Sequence, residues 1–145
     1  MSEKTQNKVT FIFCSNNKNK IFEIKKKLSQ FNIEIISQKD AGYEIEVEET
    51  GKTFQENSLI KAESIYKLSK KPVIADDSGL CIDYLNGEPG IHSHRFAGDN
   101  ASDEDRYNKV LKLLEGVEEK KELVDILVVF VILILMGINI FLKII

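Results

Sequence analysis

The sequence predicts an α/β fold, a mixed sheet flanked by helices, and three features of the chain carry that expectation. Short β-rich apolar runs alternate with charged amphipathic stretches, and polar turn residues stand at the junctions up to about residue 120. At 145 residues there is room for one core and little room for a second. The expected organisation is therefore one domain-forming part over residues 1–120, followed by an apolar tail over residues 121–145.

Residues 9–14 are a six-residue β-rich run and read as a buried strand. The polar turn Ser15-Asn16-Asn17-Lys18 follows, after which Ile21, Ile24, Leu28 and Phe31 recur at helical spacing with lysines on the opposite face. Residues 33–37 read as a second strand. In residues 44–49 the carboxylates alternate with Ile45 and Val47, which predicts an extended segment presenting its acidic groups on one side. Thr53 with Glu56 three residues on is a capping box, opening a helix to about Ser69 with Phe54, Ala62, Ile65 and Leu68 inward. Residues 73–75 are a buried strand, Asp76-Asp77-Ser78-Gly79 a turn, and residues 80–84 a resumed strand ending at the hairpin signal Asn86-Gly87. Ser102 caps a last helix whose Tyr107, Val110, Leu111 and Leu114 share a face.

Composition narrows the partners. The net charge is only −3 with 30% charged residues, which gives no reason to expect nucleic acid as a ligand. Cys14 and Cys81 are far apart and lack metal-site spacing, so they read as reduced thiols filling a core, and with a polar N-terminus free of any apolar run the expected location is cytoplasmic.

A strand that ends in Ser15-Asn16-Asn17-Lys18-Asn19-Lys20 and opens a helix gathers backbone N–H groups, a hydroxyl, amides and lysines at the positive end of a helix dipole, which is the chemistry of a phosphate site. The glycines of a Walker loop are missing, and an ordinary N-cap with solvated lysines is an equal alternative. Two acidic clusters, Glu46/Glu48/Glu49 and Asp76/Asp77, offer hard oxygen ligands suited to magnesium. Taken alone the glutamates read better as a solvated face, whereas the aspartates follow an apolar strand, at the carboxyl end where ligands sit in open α/β sheets. His92 and His94 are too few for zinc, while the planar fork of Arg95 suits a phosphate.

Together these segments resemble the inosine/xanthosine triphosphate pyrophosphatase family. The family's Thr-x-Asn-x-x-Lys is filled by Ser15, Asn17 and Lys20, with serine retaining the hydroxyl. Its Glu-Glu-Thr-Gly-x-Thr-Phe-x-Glu-Asn signature appears as Glu48-Glu49-Thr50-Gly51-Lys52-Thr53-Phe54-Gln55-Glu56-Asn57, followed by Lys61-Ala62. Its Ala-Asp-Asp-Ser-Gly-Leu segment starts at Ala75, and Gly87, Pro89, Gly90, Ser93, Arg95, Ala97 and Gly98 complete the match. The resemblance implies that fold, with its C-terminal part missing or altered, and Mg2+-dependent hydrolysis of ITP, dITP or XTP to monophosphate and pyrophosphate. It implies that Ser15, Asn16, Asn17, Lys18, Asn19, Lys20, Lys61, Ser78 and Arg95 bind the substrate. It further implies that Glu48 and Asp77 hold magnesium, that Asp77 is the general base, and that the protein is a homodimer.

Two family motifs that grip the purine base, Phe-Gly-Tyr-Asp-Pro and Ser-His-Arg, are absent from these 145 residues. Residues 123–145 are instead almost wholly apolar, interrupted by Asp125, Gly137, Asn139 and Lys143. Three readings compete: a shifted reading frame, ranked first because the family has an Arg…Phe-x-Cys strand here; a pair of buried strands with a bend at residues 136–139; and a membrane helix, for which residues 126–142 are barely long enough.

Overall fold

In the computed structural model, residues 8–118, 124–133 and 139–144 are described, the last two segments by their backbone pairing. The compositional boundary at residue 121, all but Lys8 of the polar stretch at residues 1–8 and all but Asn139 of the bend expected at residues 136–139 lie outside them.

The first apolar run forms strand β1 (Val9–Phe13), and the turn after it opens helix α1 (Lys18–Leu28). Strand β2 (Ile33–Ser37) returns parallel to β1, with Val9 opposite Ile33 and Phe13 opposite Ser37. Helix α2 (Phe54–Ser69) then leads into strand β3 (Val73–Ile82), which lies parallel on the other side of β1, with Ile12 opposite Val73. Both crossovers pass through a helix, as parallel pairing requires.

Strand alternation sends successive β1 side chains to opposite faces. Ile12 packs with Ala62 and Ile65 of α2 and with Val73 and Ala75 of β3. Its neighbour Phe13 packs with Ile35 and Ile74 on the face that Ile21, Ile24 and Leu28 of α1 cover. The parallel strands are thus roofed on both sides, which is why they read as continuous apolar runs. Phe31 and Leu68, expected inward, are 53% and 57% exposed, since Phe31 lies past the end of α1 and Leu68 faces out in the last turn of α2.

Helix α2 begins at Thr53, whose hydroxyl accepts from the Glu56 N–H at 3.1 Å. The expected capping box is half made, because the Glu56 carboxylate accepts from the Lys52 N–H at 2.6 Å instead of from Thr53. A complete box occurs at Ser102, which caps helix α3 (Asp103–Leu113) with Asp105 as its reciprocal partner. Of the four residues expected on one face of α3, Val110 and Leu114 are buried with Ile82, while Tyr107 and Leu111 are exposed.

The expected turn at Asp76-Asp77-Ser78-Gly79 is a correction: β3 runs unbroken through all four residues. Strand β4 (Val124–Leu133) explains it, pairing antiparallel with β3 along its whole length, so that Asp76 to Gly79 stand opposite Phe130 to Leu127 and their backbone groups join the ladder. Strand β5 (Asn139–Ile144) adds antiparallel to β4, completing the order β2-β1-β3-β4-β5. The apolar run is therefore two strands of a mixed sheet, and of the two structural readings, strands replace the membrane helix. Among the described residues no helix is long and apolar enough to cross a membrane.

β3 ends at Ile82, short of the expected Tyr84, in a turn of 3-10 helix over Asp83–Leu85. Asn86 and Gly87 then reverse the chain with left-handed φ of 54° and 86°, as the hairpin signal implies, but the return is a single bridge of Pro89 to Cys81. The following 3-10 segment, Gly90–Arg95, packs back on β3, where the Leu80 N–H donates to Ser93 Oγ at 2.9 Å and that hydroxyl donates to the Gly90 carbonyl at 2.6 Å.

Candidate active site

β1 stops at Phe13 opposite Ile74, while β3 continues, so Asp76, Asp77 and Ser78 stand beyond the carboxyl end of β1, beside the turn that opens α1. Ligands gather at this edge in parallel sheets because the chain there leaves the ladder and frees side chains to converge.

On the turn, Asn17 is the N-cap. Its Oδ1 accepts from the Asn19 and Lys20 N–H groups at 3.0 and 3.2 Å, and its own N–H donates to Ser15 Oγ at 3.1 Å. The capping alternative is thus realised, yet the lysines do not all behave as solvated charges. Lys20 Nζ reaches across to β3, 2.7 Å from Asp76 Oδ2 and 3.1 Å from Ser78 Oγ. Asp76 is only 4% exposed, so this cation is fixed by a partner that cannot move away. Asn16 and Lys18 are exposed on the rim of a cleft of about 650 Å³ that runs between α1 and residues 37–46, and Asn19 is exposed without lining it.

The second cation comes from α2. Lys61 Nζ lies 3.1 Å from Glu49 Oε1 and 3.6 Å from Asp77 Oδ1. Asp77 Oδ1 also accepts from the Ser78 N–H at 3.0 Å, whereas Asp77 Oδ2 is buried with no hydrogen-bond partner among the described residues. A buried carboxylate oxygen without a donor is costly unless something outside the chain completes it. Burial pushes the Asp77 carboxyl above its ordinary value of 3.8, and the like charge of Glu49 adds to this, against the pull of Lys61, Asn57 and the Ser78 N–H.

That direction makes a stability prediction. Ionised Asp77 is disfavoured in the fold, so the native state holds its proton to higher pH than the unfolded chain does. Stability therefore falls as pH rises from about 3.8 through the raised native value, and the cost is complete above it. In metal-free buffer Asp77→Asn should melt higher than the parent at pH 7, with the gap closing towards pH 4. A variant that melts at or below the parent at pH 7 would contradict the sign.

Among the residues singled out from sequence, the structure brings together Ser15, Asn17, Lys20, Ser78, Lys61 and Asp77. It separates two others. Glu48 is exposed, and the glutamate beside Lys61 and Asp77 is Glu49. The signal for this was in the alternation, because Glu49 has the parity of Ile45 and Val47, which turn towards the protein, and Glu48 the parity of the outward groups. Residues 44–49 alternate between half-buried and exposed side chains as expected but pair with no strand among the described residues, and Gln38 Nε2 holds the segment through the Ile45 carbonyl at 2.9 Å. Arg95 is exposed, with Nη2 3.2 Å from His92 Nδ1, and its polar contact is to that ring instead of to the turn. Sequence reasoning passed over Asp76 as a holder of Lys20 and Asn57 as a neighbour of Asp77.

Cys14, next to the turn, is buried, and desolvation pushes its thiol up to about 12, so it remains protonated and inert as core packing. Among the described residues no three His, Cys, Asp or Glu side chains gather into a metal cage. The donors that do converge are two carboxylates, one with a free oxygen, which fits a hard ion that takes the rest of its shell from water and phosphate.

The Ham1 family model matches residues 11–138, from the middle of β1 through the whole of β4. The chain belongs to the Ham1 family. A dITP/XTP pyrophosphatase of Clostridium perfringens is 47% identical over 127 residues, covering 83% of this chain and 62% of that protein. Another, of Bacillus licheniformis, is 49% identical over 109 residues, covering 75% and 56%. The solved structure of the Staphylococcus aureus Ham1 protein superposes with a TM-score of 0.80 at 36% identity, over 92% of this chain and 68% of that one. A Ham1 protein from Coxiella burnetii gives 0.83 at 34% identity. The chain thus spans 56–62% of the length of these two curated relatives. The Ham1 match extends across the junction near residue 120, and the apolar strand β4 takes its place within the matched region.

Proposed function

We propose that this chain carries the phosphate-handling half of a nucleoside-triphosphate pyrophosphatase acting on ITP, dITP or XTP, which would serve to clear non-standard purine nucleotides in the cytoplasm. The observation that carries the reading is the buried Asp77 carboxylate, with one oxygen unpartnered among the described residues, set between Lys61 and the turn that bears Lys20. The relatives named dITP/XTP pyrophosphatase supply the substrate class.

In this reading Lys20, Lys61, Ser15 and Ser78 grip the triphosphate, and Asn16, Asn17, Lys18 and Asn19 line its approach. Lys20 and Lys61 are pre-aimed by Asp76 and Glu49, so their positive charge meets the developing charge on phosphate oxygens without reorganisation. Asp77 takes a proton from the water whose oxygen bonds to the α-phosphorus, the bond to the bridging oxygen breaks, and pyrophosphate leaves with that electron pair. A raised carboxyl pKa favours this role, because a base works best when its affinity for the proton approaches that of the operating pH. Magnesium would be held by Asp77 with Glu49, in place of the Glu48 that the family resemblance implied, and would neutralise phosphate charge and acidify the water. Arg95 would reach phosphate only by leaving His92. A homodimer, as the resemblance implies, is part of the proposal, and no nucleic acid or membrane partner is.

The test is pyrophosphate release by the full 145-residue chain from ITP, XTP and GTP with magnesium. Release from ITP or XTP in excess over GTP supports the reading. A second reading, nucleotide binding without turnover, is favoured by the absence of the two base-gripping motifs from these residues. It predicts that ITP raises the melting temperature while no pyrophosphate appears. An origin of residues 121–145 in a shifted reading frame stays a proposal of its own, decided by the gene sequence through codons 118 to 130.

A further inference from the structure

Asn57 is almost fully buried, at 2% exposure, in the first turn of α2, and a polar side chain so placed must spend its hydrogen bonds on fixed partners. Its Oδ1 accepts from the Gly51 N–H at 2.8 Å, and its carboxamide stands beside the Asp77 carboxyl, whose ionised form it favours. An oxygen that is occupied by Gly51 leaves the amino group as the only donor the side chain has for Asp77. The approach is close on the other side as well: a Cβ on residue 51 would stand 2.6 Å from Asn57 Oδ1, so glycine is what lets the backbone come within reach. Gly51 in turn lies two residues beyond Glu49, the second carboxylate of the site.

One side chain therefore ties together the two strands of chain that supply the acidic groups. We propose that Asn57 is a positioning residue that sets both the orientation of the Asp77 carboxylate, leaving Oδ2 open to a divalent cation, and the distance of Glu49 from it. The proposal rests on the reading of Asp77 as a cation ligand given above. It assigns Asn57 no contact with substrate. Partners that orient a ligating carboxylate commonly change metal affinity by about 10–100-fold when removed.

The experiment uses the full chain with Mn2+ alone, the free ion being counted by electron paramagnetic resonance, so that no turnover is needed. Asn57→Ala is expected to weaken Mn2+ binding at least about 10-fold, with the one-ion stoichiometry unchanged. Ile65→Ala, a core change in the same helix outside the site, is the comparison for lost stability, and both proteins are measured at a temperature where circular dichroism shows them folded. Weakened binding in Asn57→Ala with parental affinity in Ile65→Ala is the expected result. Equal affinity in all three proteins, or equal weakening in both variants, overturns the positioning role. Asp77→Asn separates the two proposals, because binding that survives in that variant refutes the cation reading of Asp77 itself, whatever Asn57 does.

Discussion

Asp77→Asn is expected to lower pyrophosphate release from ITP by about 10²–10⁴-fold at saturating magnesium, the span usual for removing a general base. The substitution keeps the shape and leaves an amide oxygen able to accept from the Ser78 N–H, now made at 3.0 Å. What it removes is the affinity for a proton and the negative charge at the oxygen that has no partner among the described residues. Lys61 keeps Glu49 as its counter-ion at 3.1 Å, so the second cation should hold its place. The loss should therefore fall mainly on kcat, with KM changing less, because on the proposed reading Lys20 and Lys61 would still hold phosphate. The same variant melts higher than the parent in metal-free buffer at neutral pH on the sign derived above. A variant that loses activity while becoming more stable is the signature of a group kept for chemistry against its own cost of burial. Activity within tenfold of the parent would remove Asp77 from the chemistry.

Much of the fold was legible because strands and helices here differ in period. The runs at residues 9–14 and 33–37 and the helical spacing from Ile21 to Leu28 map onto β1, β2 and α1 within a residue or two. Thr53 and Ser102 announced the starts of α2 and α3 because capping is a local interaction. What local sequence could not convey is pairing. Asp76-Asp77-Ser78-Gly79 has turn composition, and only a partner strand more than forty residues away keeps it extended. The apolar run after residue 123 was ambiguous for the same reason, since β-branched residues at that density suit a buried strand or a span equally well until the neighbour is known. Within the site, the turn, Lys61 and Asp77 could be read from the motifs that carry them. That Glu49 and not Glu48 lies beside Lys61 follows from side-chain parity in a segment with no ladder to mark its register, and the placement of Asp76 beside Lys20 follows from the approach of separate elements.

Gly79→Ala should be the most damaging glycine-to-alanine change among the described residues. β3 runs straight through residue 79, whose backbone is in contact with the segment Gly90–Arg95 folded over it. An ideal Cβ at residue 79 would lie 2.2 Å from the Gly90 carbonyl oxygen, 2.7 Å from Ser93 Oγ and 2.9 Å from Phe54 Cε1. The nearest atom belongs to a backbone that cannot rotate away, and the next is the hydroxyl that accepts from the Leu80 N–H and donates to Gly90. To admit the methyl group the 3-10 segment must lift, which breaks both bonds and uncovers Phe54 at the start of α2. Overpacking of this kind costs about 1–3 kcal/mol, and two lost hydrogen bonds add about 1 kcal/mol each. At about 2–4 °C per kcal/mol for a chain of this size, the melting midpoint should fall by roughly 6–20 °C. Hydrogen exchange at the Leu80 amide should accelerate along with it, while the Ile12 amide, bonded to the Pro72 carbonyl at 2.9 Å deep in the parallel sheet, should change only as much as global stability does. A midpoint within 1 °C of the parent, on the same scale, would mean that the segment does not press on β3 as closely as these distances require. Because Asp77 and Ser78 sit immediately before this glycine, a lifted segment should also loosen the strand that aims them, so activity should fall even below the melting transition.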